Sequence, residues 1–208
     1  MKYCIFILIL LIGYLVGSIP WGYLIGKLKK GIDIRKFGSG NIGTTNVLRV
    51  LGGVPAVLVL GGDMGKGIGA VCIGMMLASS TGMSPKIIGG LAGLSSILGH
   101  NWPVFLRFKG GKGVATSAGV FLTLTPLPFI LSLAVMLLVV FFTRYVSLGS
   151  ILAAGSFPLF ILLCARGETR FYFILSLIVA ALTLFTHRSN LRRLLNGCER
   201  KLGEKERI

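Results

Sequence analysis

Acidic side chains are nearly missing from this chain. Asp33, Asp63, Glu168, Glu199, Glu204 and Glu206 are all that 208 residues contain. They form no cluster suited to a pair of magnesium ions, so metal-dependent phosphoryl transfer is not expected, and no metal or other cofactor is assigned. Histidine is as sparse: only His100 and His187 occur, and neither has an Asp five residues further on. There is no GxSxG nucleophile elbow. The four cysteines (Cys4, Cys72, Cys164, Cys198) are scattered, with no CxxC and no His at ligand spacing, which excludes a disulfide framework and a zinc site. No internal repeat, low-complexity tract or linker divides the chain, which reads as a single domain over 1–208.

What fills the chain instead is apolar. Hydrophobic residues make up 54% and the mean hydropathy is +0.86, which excludes an ordinary soluble domain. The net charge of +16 does not point to nucleic acid, because the basic residues sit between apolar segments instead of forming one patch. Orientation in a membrane and attraction to anionic lipid account for that pattern. Candidate spans lie near 3–26, 54–80, 86–106, 113–126, 128–143, 147–165 and 170–186. The first is too long for a signal peptide and is followed by more spans, so it reads as a retained helix. Between the fourth and fifth, Thr125-Pro126-Leu127-Pro128 favours a tight reversal over one kinked helix.

Charge sets the orientation. With seven spans and the N-terminus outside, the 27–53 and 106–113 loops, Arg144 and the tail after Thr186 are cytoplasmic and hold most of the Lys and Arg. Only Lys2, Lys86, Arg166 and Arg170 fall outside. Six spans would put the basic tail outside, so the expected fold is an all-α membrane protein with seven transmembrane helices and a cytoplasmic C-terminus. The polar loops then face one compartment.

Three polar stretches interrupt the apolar pattern. GSGNIGTTNVLR, Gly38 to Arg49, gathers Ser39, Asn41, Thr44, Thr45 and Asn46 as neutral hydrogen-bonding groups beside a planar guanidinium; plain turn chemistry would also explain its Gly and Asn. FKGGKGVAT, Phe108 to Thr116, is not a Walker A loop, since Gly113 follows Lys112. A helix starting there would aim N–H groups at an anion near Lys112; a flexible basic loop is the plainer alternative. In THRSNLRRLLNGCER, His187 and Asn190 share a face of a continuing helix whose arginines suit an interfacial helix on anionic lipid. Asp63 and Lys66, one turn apart in an apolar run, read as a mutually neutralising pair that braces the cytoplasmic loops. His100 reads as a structural histidine.

Taken in order, GSGNIGTTN with Arg49, FKGGKGVAT and HRSNLRRLL resemble the three cytoplasmic motifs of the bacterial membrane acyl-phosphate:glycerol-3-phosphate acyltransferases, with LGGDMGKG and LGHNWPVF also similar between them. The resemblance covers essentially the whole chain; Thr186 departs from the basic residue that relatives often carry before the His-Arg pair. It implies a multi-pass enzyme of the bacterial cytoplasmic membrane that moves a fatty acyl group from acyl phosphate to the 1-hydroxyl of glycerol 3-phosphate. Lysophosphatidic acid and phosphate would be the products, in the first committed step of phospholipid synthesis, with membrane lipid as a further partner.

On that resemblance Ser39, Arg49, Lys112, His187 and Asn190 are the expected catalytic residues. Asn41, Thr45, Asn46, Lys109, Gly110, Gly111, Gly113, Val114, Ala115, Thr116 and Arg188 are the expected substrate-binding ones. Acyl phosphate is already activated, so no enzyme nucleophile is needed. Lys112 and the Gly110–Thr116 backbone would stabilise the leaving phosphate. Arg49, Lys109 and His187 would hold the acceptor's phosphate, with Ser39 and Asn190 orienting its glycerol. The donor's own phosphate would take the hydroxyl proton, with His187 the alternative base. An organic-phosphate or anion transporter is the competing function, but transport would favour paired repeats and polar groups on both faces.

Overall fold

A computed structural model describes residues 2–204. Among these residues every regular element is helical, as the apolar runs require, since a helix satisfies its own backbone in lipid. The described chain forms two compact units, residues 2–120 with 203–204, and Phe121–Leu202.

In the first unit, α1 (Lys2–Gly17) is separated from α2 (Trp21–Lys30) by Ser18-Ile19-Pro20. The helix of the expected span over 3–26 is therefore interrupted, because Pro20 has no N–H to continue the ladder, while Lys2–Lys30 as a whole stays one candidate crossing. Gly31, with φ 67°, ends α2 just after Lys27, Lys29 and Lys30, cations placed at the negative end of the helix dipole. The segment 27–53, expected as a loop, is partly ordered: a 3₁₀ turn covers Ile34–Lys36 and α3 (Thr44–Leu51) is an amphipathic helix of two turns. After α4 (Gly53–Leu77) comes α5 (Pro85–Asn101), which stops five residues short of the expected span because Pro103 follows. A 3₁₀ turn at Val104–Leu106 then leads to α6 (Val114–Leu124).

Helices α1, α4 and α5 pack on one another, and α2 and α3 pack on α4. Small residues make this close approach possible. A Cβ on Gly13 would come within 2.6 Å of the Ala92 carbonyl of α5, and one on Gly17 would overlap the backbone of Ser96. An apolar cluster of Ile25, Ile34, Ile42, Val47, Val50, Ala56, Val59 and Leu106 sits where α2, α3 and α4 meet the turn before the glycine loop. It fixes the first and second polar stretches to one core.

In the second unit, α7 (Pro126–Thr143) begins after a break at Thr125, α8 (Val146–Cys164) packs between α7 and α9 (Thr169–Thr186), and α10 (Arg188–Leu195) lies on α8 and α9. Thr125 leaves helical geometry, with φ −144° and ψ 70°, and Pro126 occupies the first helical position, where a missing N–H costs nothing. Only Pro128 and Ser132 of α7 are buried. Its remaining surface, Leu137, Leu138, Phe141 and Phe142 included, is an apolar face suited to hydrocarbon.

Lys2–Lys30, Gly53–Ser80, α7, α8 and α9 are long and apolar enough to cross a membrane. The α5 helix, at 17 residues, falls just short of that length, and α6 has 11.

The glycine contacts generate a test in which one substitution has opposite signs at two sites. Gly17→Ala should destabilise the protein by about 1–3 kcal/mol through overpacking. Gly61→Ala, on α4 with no atom within 4 Å of a new Cβ, should be neutral or stabilise by up to about 1 kcal/mol through helix propensity. Thermal unfolding of both purified variants checks it.

Candidate active site

The first polar stretch is built around one side chain. Asn46 is 2% exposed; its Oδ1 accepts from the Ser39 N–H at 2.8 Å, and its Nδ2 donates to the carbonyls of Asn41 (2.8 Å), Phe37 (3.1 Å) and Ile34 (3.3 Å). Expected among the substrate-binding residues, Asn46 is turned inward and spends its carboxamide on the loop backbone. Gly38 and Gly40, at φ 60° and 72°, make the bend between which Ser39 is exposed, and a Cβ on Gly38 would collide with Asn46 Oδ1. Asn41 Oδ1 accepts from the Gly43 N–H at 2.8 Å and so shapes the entry to α3. Thr45 and Arg49, both half-buried, lie one turn apart on that helix. Asp33 secures the other side of the loop: it caps the 3₁₀ turn through the Arg35 N–H and takes a two-pronged grip from the Arg35 guanidinium, at 3.0 and 2.7 Å.

The second stretch is seated on the end of α5. The Gly111 N–H donates to the His100 carbonyl at 3.0 Å, the Phe108 N–H to Pro103 O at 2.9 Å and the Lys109 N–H to Leu106 O at 3.2 Å. Arg107 and Phe108 both adopt left-handed backbone, at φ 54° and 61°, a conformation that bulky residues rarely hold unless their surroundings enforce it. Gly110 lies against the His100 and Asn101 carbonyls and Pro103, Gly111 against the His100 ring, and Gly113, at φ 81°, against Asn101 Oδ1. None has room for a Cβ. Helix α6 starts next, and the N–H groups of Val114, Ala115 and Thr116 are those of its first turn, which have no acceptor within the helix. Lys112 is half-buried just before them, and Lys109 is exposed. Cation and helix N-terminus together suit an anion.

Beneath this loop lies a buried charged cluster. Lys66 Nζ is 2.9 Å from Asp63 Oδ1, 2.7 Å from His100 Nδ1 and 3.1 Å from the Ile19 carbonyl in the α1–α2 break. Both charged side chains are 2% exposed. The expected Asp63–Lys66 pair is present, and His100 is its third member. Asn101, which the sequence reading passed over, is also buried, and its carboxamide atoms find no hydrogen-bond partner among the described residues.

The third stretch belongs to the second unit. His187, 3% exposed, is the joint between α9 and α10; its Nδ1 lies 2.9 Å from the Thr183 carbonyl, which can only accept, so Nδ1 carries a proton. Asn190, 5% exposed, donates to Glu199 at 2.7 Å, as do Ser147 of α8 and the Arg193 Nε, each at 2.7 Å. Arg188, expected at substrate, is exposed; its guanidinium donates to the Phe185 carbonyl at 3.0 Å and lies over the Phe185 ring. Glu199 was missed as an organising residue, because its partner Ser147 is 52 positions away and no local pattern marks it.

Burial alone would push the Glu199 carboxyl up, but hydrogen bonds from Asn190, Ser147 and Arg193, with Arg193's charge, hold it below its ordinary value. The Asp33 carboxyl is likewise lowered, chiefly by the Arg35 hydrogen bond and against some burial. A depressed carboxyl contributes stability that is complete above the unfolded value, about 4, and is lost as pH falls through the lower folded value. Glu199→Gln should therefore be less stable than the native chain at pH 7, and the gap should narrow below about pH 4. Thermal unfolding between pH 3 and 7 reads this directly.

The profile of the family described as glycerol-3-phosphate acyltransferase matches residues 7–197. The chain is 47% identical over 200 residues to the glycerol-3-phosphate acyltransferase of Desulforamulus reducens, covering 96% of each. It is 48% identical to that of Thermoanaerobacter sp. (strain X514), covering 97% of this chain and 98% of the relative. Among solved structures it is similar to PlsY (YgiH), an integral membrane glycerol 3-phosphate acyltransferase. The glycerol 3-phosphate form matches with a TM-score of 0.84 and 40% identity over 95% of this chain and 96% of that one. The lysophosphatidic acid form gives 0.83 and 40% over 96% of each. With matches of this extent spanning all three polar stretches, the chain belongs to the glycerol-3-phosphate acyltransferase family.

Proposed function

We propose that this protein transfers a fatty acyl group from acyl phosphate to the 1-hydroxyl of glycerol 3-phosphate, releasing lysophosphatidic acid and inorganic phosphate. The observation that carries the reading is the near full-length match to PlsY in its glycerol 3-phosphate and lysophosphatidic acid forms. Acyl phosphate is the donor that the family resemblance implies, and its chemistry is compatible: it is a mixed anhydride, already activated, that needs no enzyme nucleophile.

In this scheme the acceptor hydroxyl attacks the acyl carbonyl, the new ester C–O bond forms as the bond to phosphate breaks, and the hydroxyl proton leaves on the departing phosphate. Lys112, the Gly110, Gly111 and Gly113 backbone, and the first turn of α6 at Val114, Ala115 and Thr116 stabilise the leaving phosphate. Arg49 and Lys109 hold the acceptor's phosphate, with Ser39, Asn41 and Thr45 on the same loop system orienting the glycerol. Asn46 serves by holding Ser39 in place. His187 is assigned to the acceptor as a ligand, with Asn190 and Arg188 as its neighbours in sequence.

The topology that fits this chemistry has seven spans in the bacterial cytoplasmic membrane, with the N-terminus outside and the C-terminus cytoplasmic. It counts α5 and the short α6 beside the five long candidates. All three polar stretches then meet the compartment that supplies glycerol 3-phosphate. The single domain over 1–208 is part of the same proposal. In a cysteine-free background, Ser189→Cys should label only from the cytoplasmic side; labelling from outside in intact cells refutes the seven-span count.

Purified protein given acyl phosphate and labelled glycerol 3-phosphate should form lysophosphatidic acid, and acyl-CoA should not replace the donor. Lys112→Ala and Arg49→Ala should each lower turnover roughly a hundred- to a thousand-fold, the cost of losing about 2.7–4 kcal/mol at a reacting phosphate. His187→Gln should raise KM for glycerol 3-phosphate while kcat stays measurable. A collapse of kcat at constant KM would make His187 the base instead. Turnover should also survive excess EDTA; activity restored only by magnesium would reject the scheme.

A further inference from the structure

Gly110, Gly111 and Gly113 have no side chains with which to hold their own conformation, so what they pack against below shapes the loop. Three observations converge there. Gly111 donates its N–H to the His100 carbonyl at 3.0 Å and lies so close to the His100 ring that a Cβ would overlap Nε2. His100 Nδ1 is 2.7 Å from Lys66 Nζ, and the ring is buried. The Lys66 ammonium donates to the Ile19 carbonyl at 3.1 Å, lies 2.7 Å from His100 Nδ1 and forms an ion pair with Asp63 Oδ1 at 2.9 Å.

The shortest contact orients the ring. At 2.7 Å from an ammonium, which can only donate, His100 Nδ1 accepts and the ring proton resides on Nε2, the atom set against Gly111, while Asp63 Oδ1 lies 3.3 Å from the same Nδ1. A ring protonated on Nδ1 would leave Lys66 facing a donor at a buried site. Asp63 balances the charge, so the cluster is neutral as a whole and tolerable at this depth. The two left-handed residues just ahead, Arg107 and Phe108, show a loop held in a conformation that its own sequence does not favour.

We infer that Asp63, Lys66 and His100 are positioning residues for the acyl-transfer reaction: they lock the His100 ring, and the ring sets the Gly110–Gly113 backbone for the leaving phosphate. The inference rests on the function proposed above and extends it to residues that touch no substrate.

The test separates positioning from folding. Asp63→Leu/Lys66→Met removes both charges at similar volume, and such a replacement of a buried pair is often neutral or stabilising. His100→Phe keeps the ring and removes its nitrogens. Two readouts apply to each purified variant: the shift in melting temperature that inorganic phosphate induces, and kcat against KM for glycerol 3-phosphate. The expected result for folded variants is a phosphate-induced shift needing at least tenfold more phosphate, a kcat lowered tenfold or more, and a KM within threefold of native. If the double variant does not fold, His100→Phe decides alone on the same readouts. Folded variants that respond to phosphate and turn over like the native protein overturn the inference, as does activity lost only in proportion to folded protein. Native protein that shows the phosphate shift but makes no lysophosphatidic acid would reject the proposed function while leaving the positioning role measurable.

Discussion

One buried ammonium organises the first unit. Lys66 reaches from α4 to the chain break that separates α1 from α2, and to the histidine at the end of α5. An unpaired ammonium there would carry a desolvation cost of several kcal/mol, so each acceptor is obliged to stay where it is. The Ile19 carbonyl lies in the break between α1 and α2, where it accepts from the Trp21 N–H at 3.2 Å and, through its second lone pair, from Lys66. A helix break that would otherwise expose a backbone group becomes the anchor of a buried charge. The α5 terminus is fixed in the same stroke, and with it the seat of the loop that carries Lys112.

The scarcity of acid takes on meaning against this background. Asp33 is paired with Arg35, Asp63 with Lys66 and Glu199 with Arg193. Each of these carboxylates shapes a turn or a helix end: the entrance to the first polar loop, the end of α5 at His100, and the return of the tail onto α8. A protein whose substrates are phosphates gains by keeping negative charge low and committing it to structure, since an acid beside a phosphate site would repel the ligand.

What could be read from the sequence was what depends on neighbours along the chain. The break at Thr125–Pro126, the polar stretches at 38–49, 108–116 and 187–195, and the Asp63–Lys66 pair all follow from local residue chemistry. The break at Pro20 was overlooked because an apolar run of that length reads as one span, and proline is tolerated in membrane helices. The α3 helix was hidden by the Gly, Thr and Asn around its start, which signal turns as strongly as caps. The inward turn of Asn46, the third place of His100 in the buried cluster and the Glu199–Ser147 bond were not legible. Each joins residues that no periodicity connects, and each depends on what the fold brings alongside.

The glycines at 110, 111 and 113 have a consequence for how such a protein can change. Their neighbours are backbone carbonyls, a proline ring and a locked imidazole, none of which can retreat as the tip of a flexible side chain can. None of the three can gain even a methyl group, so these positions offer nothing that selection or a designer could alter step by step. On the apolar helices, by contrast, side chains can be exchanged by volume. The seat of the glycines is thereby closed to gradual alteration while the exposed apolar faces stay open to it.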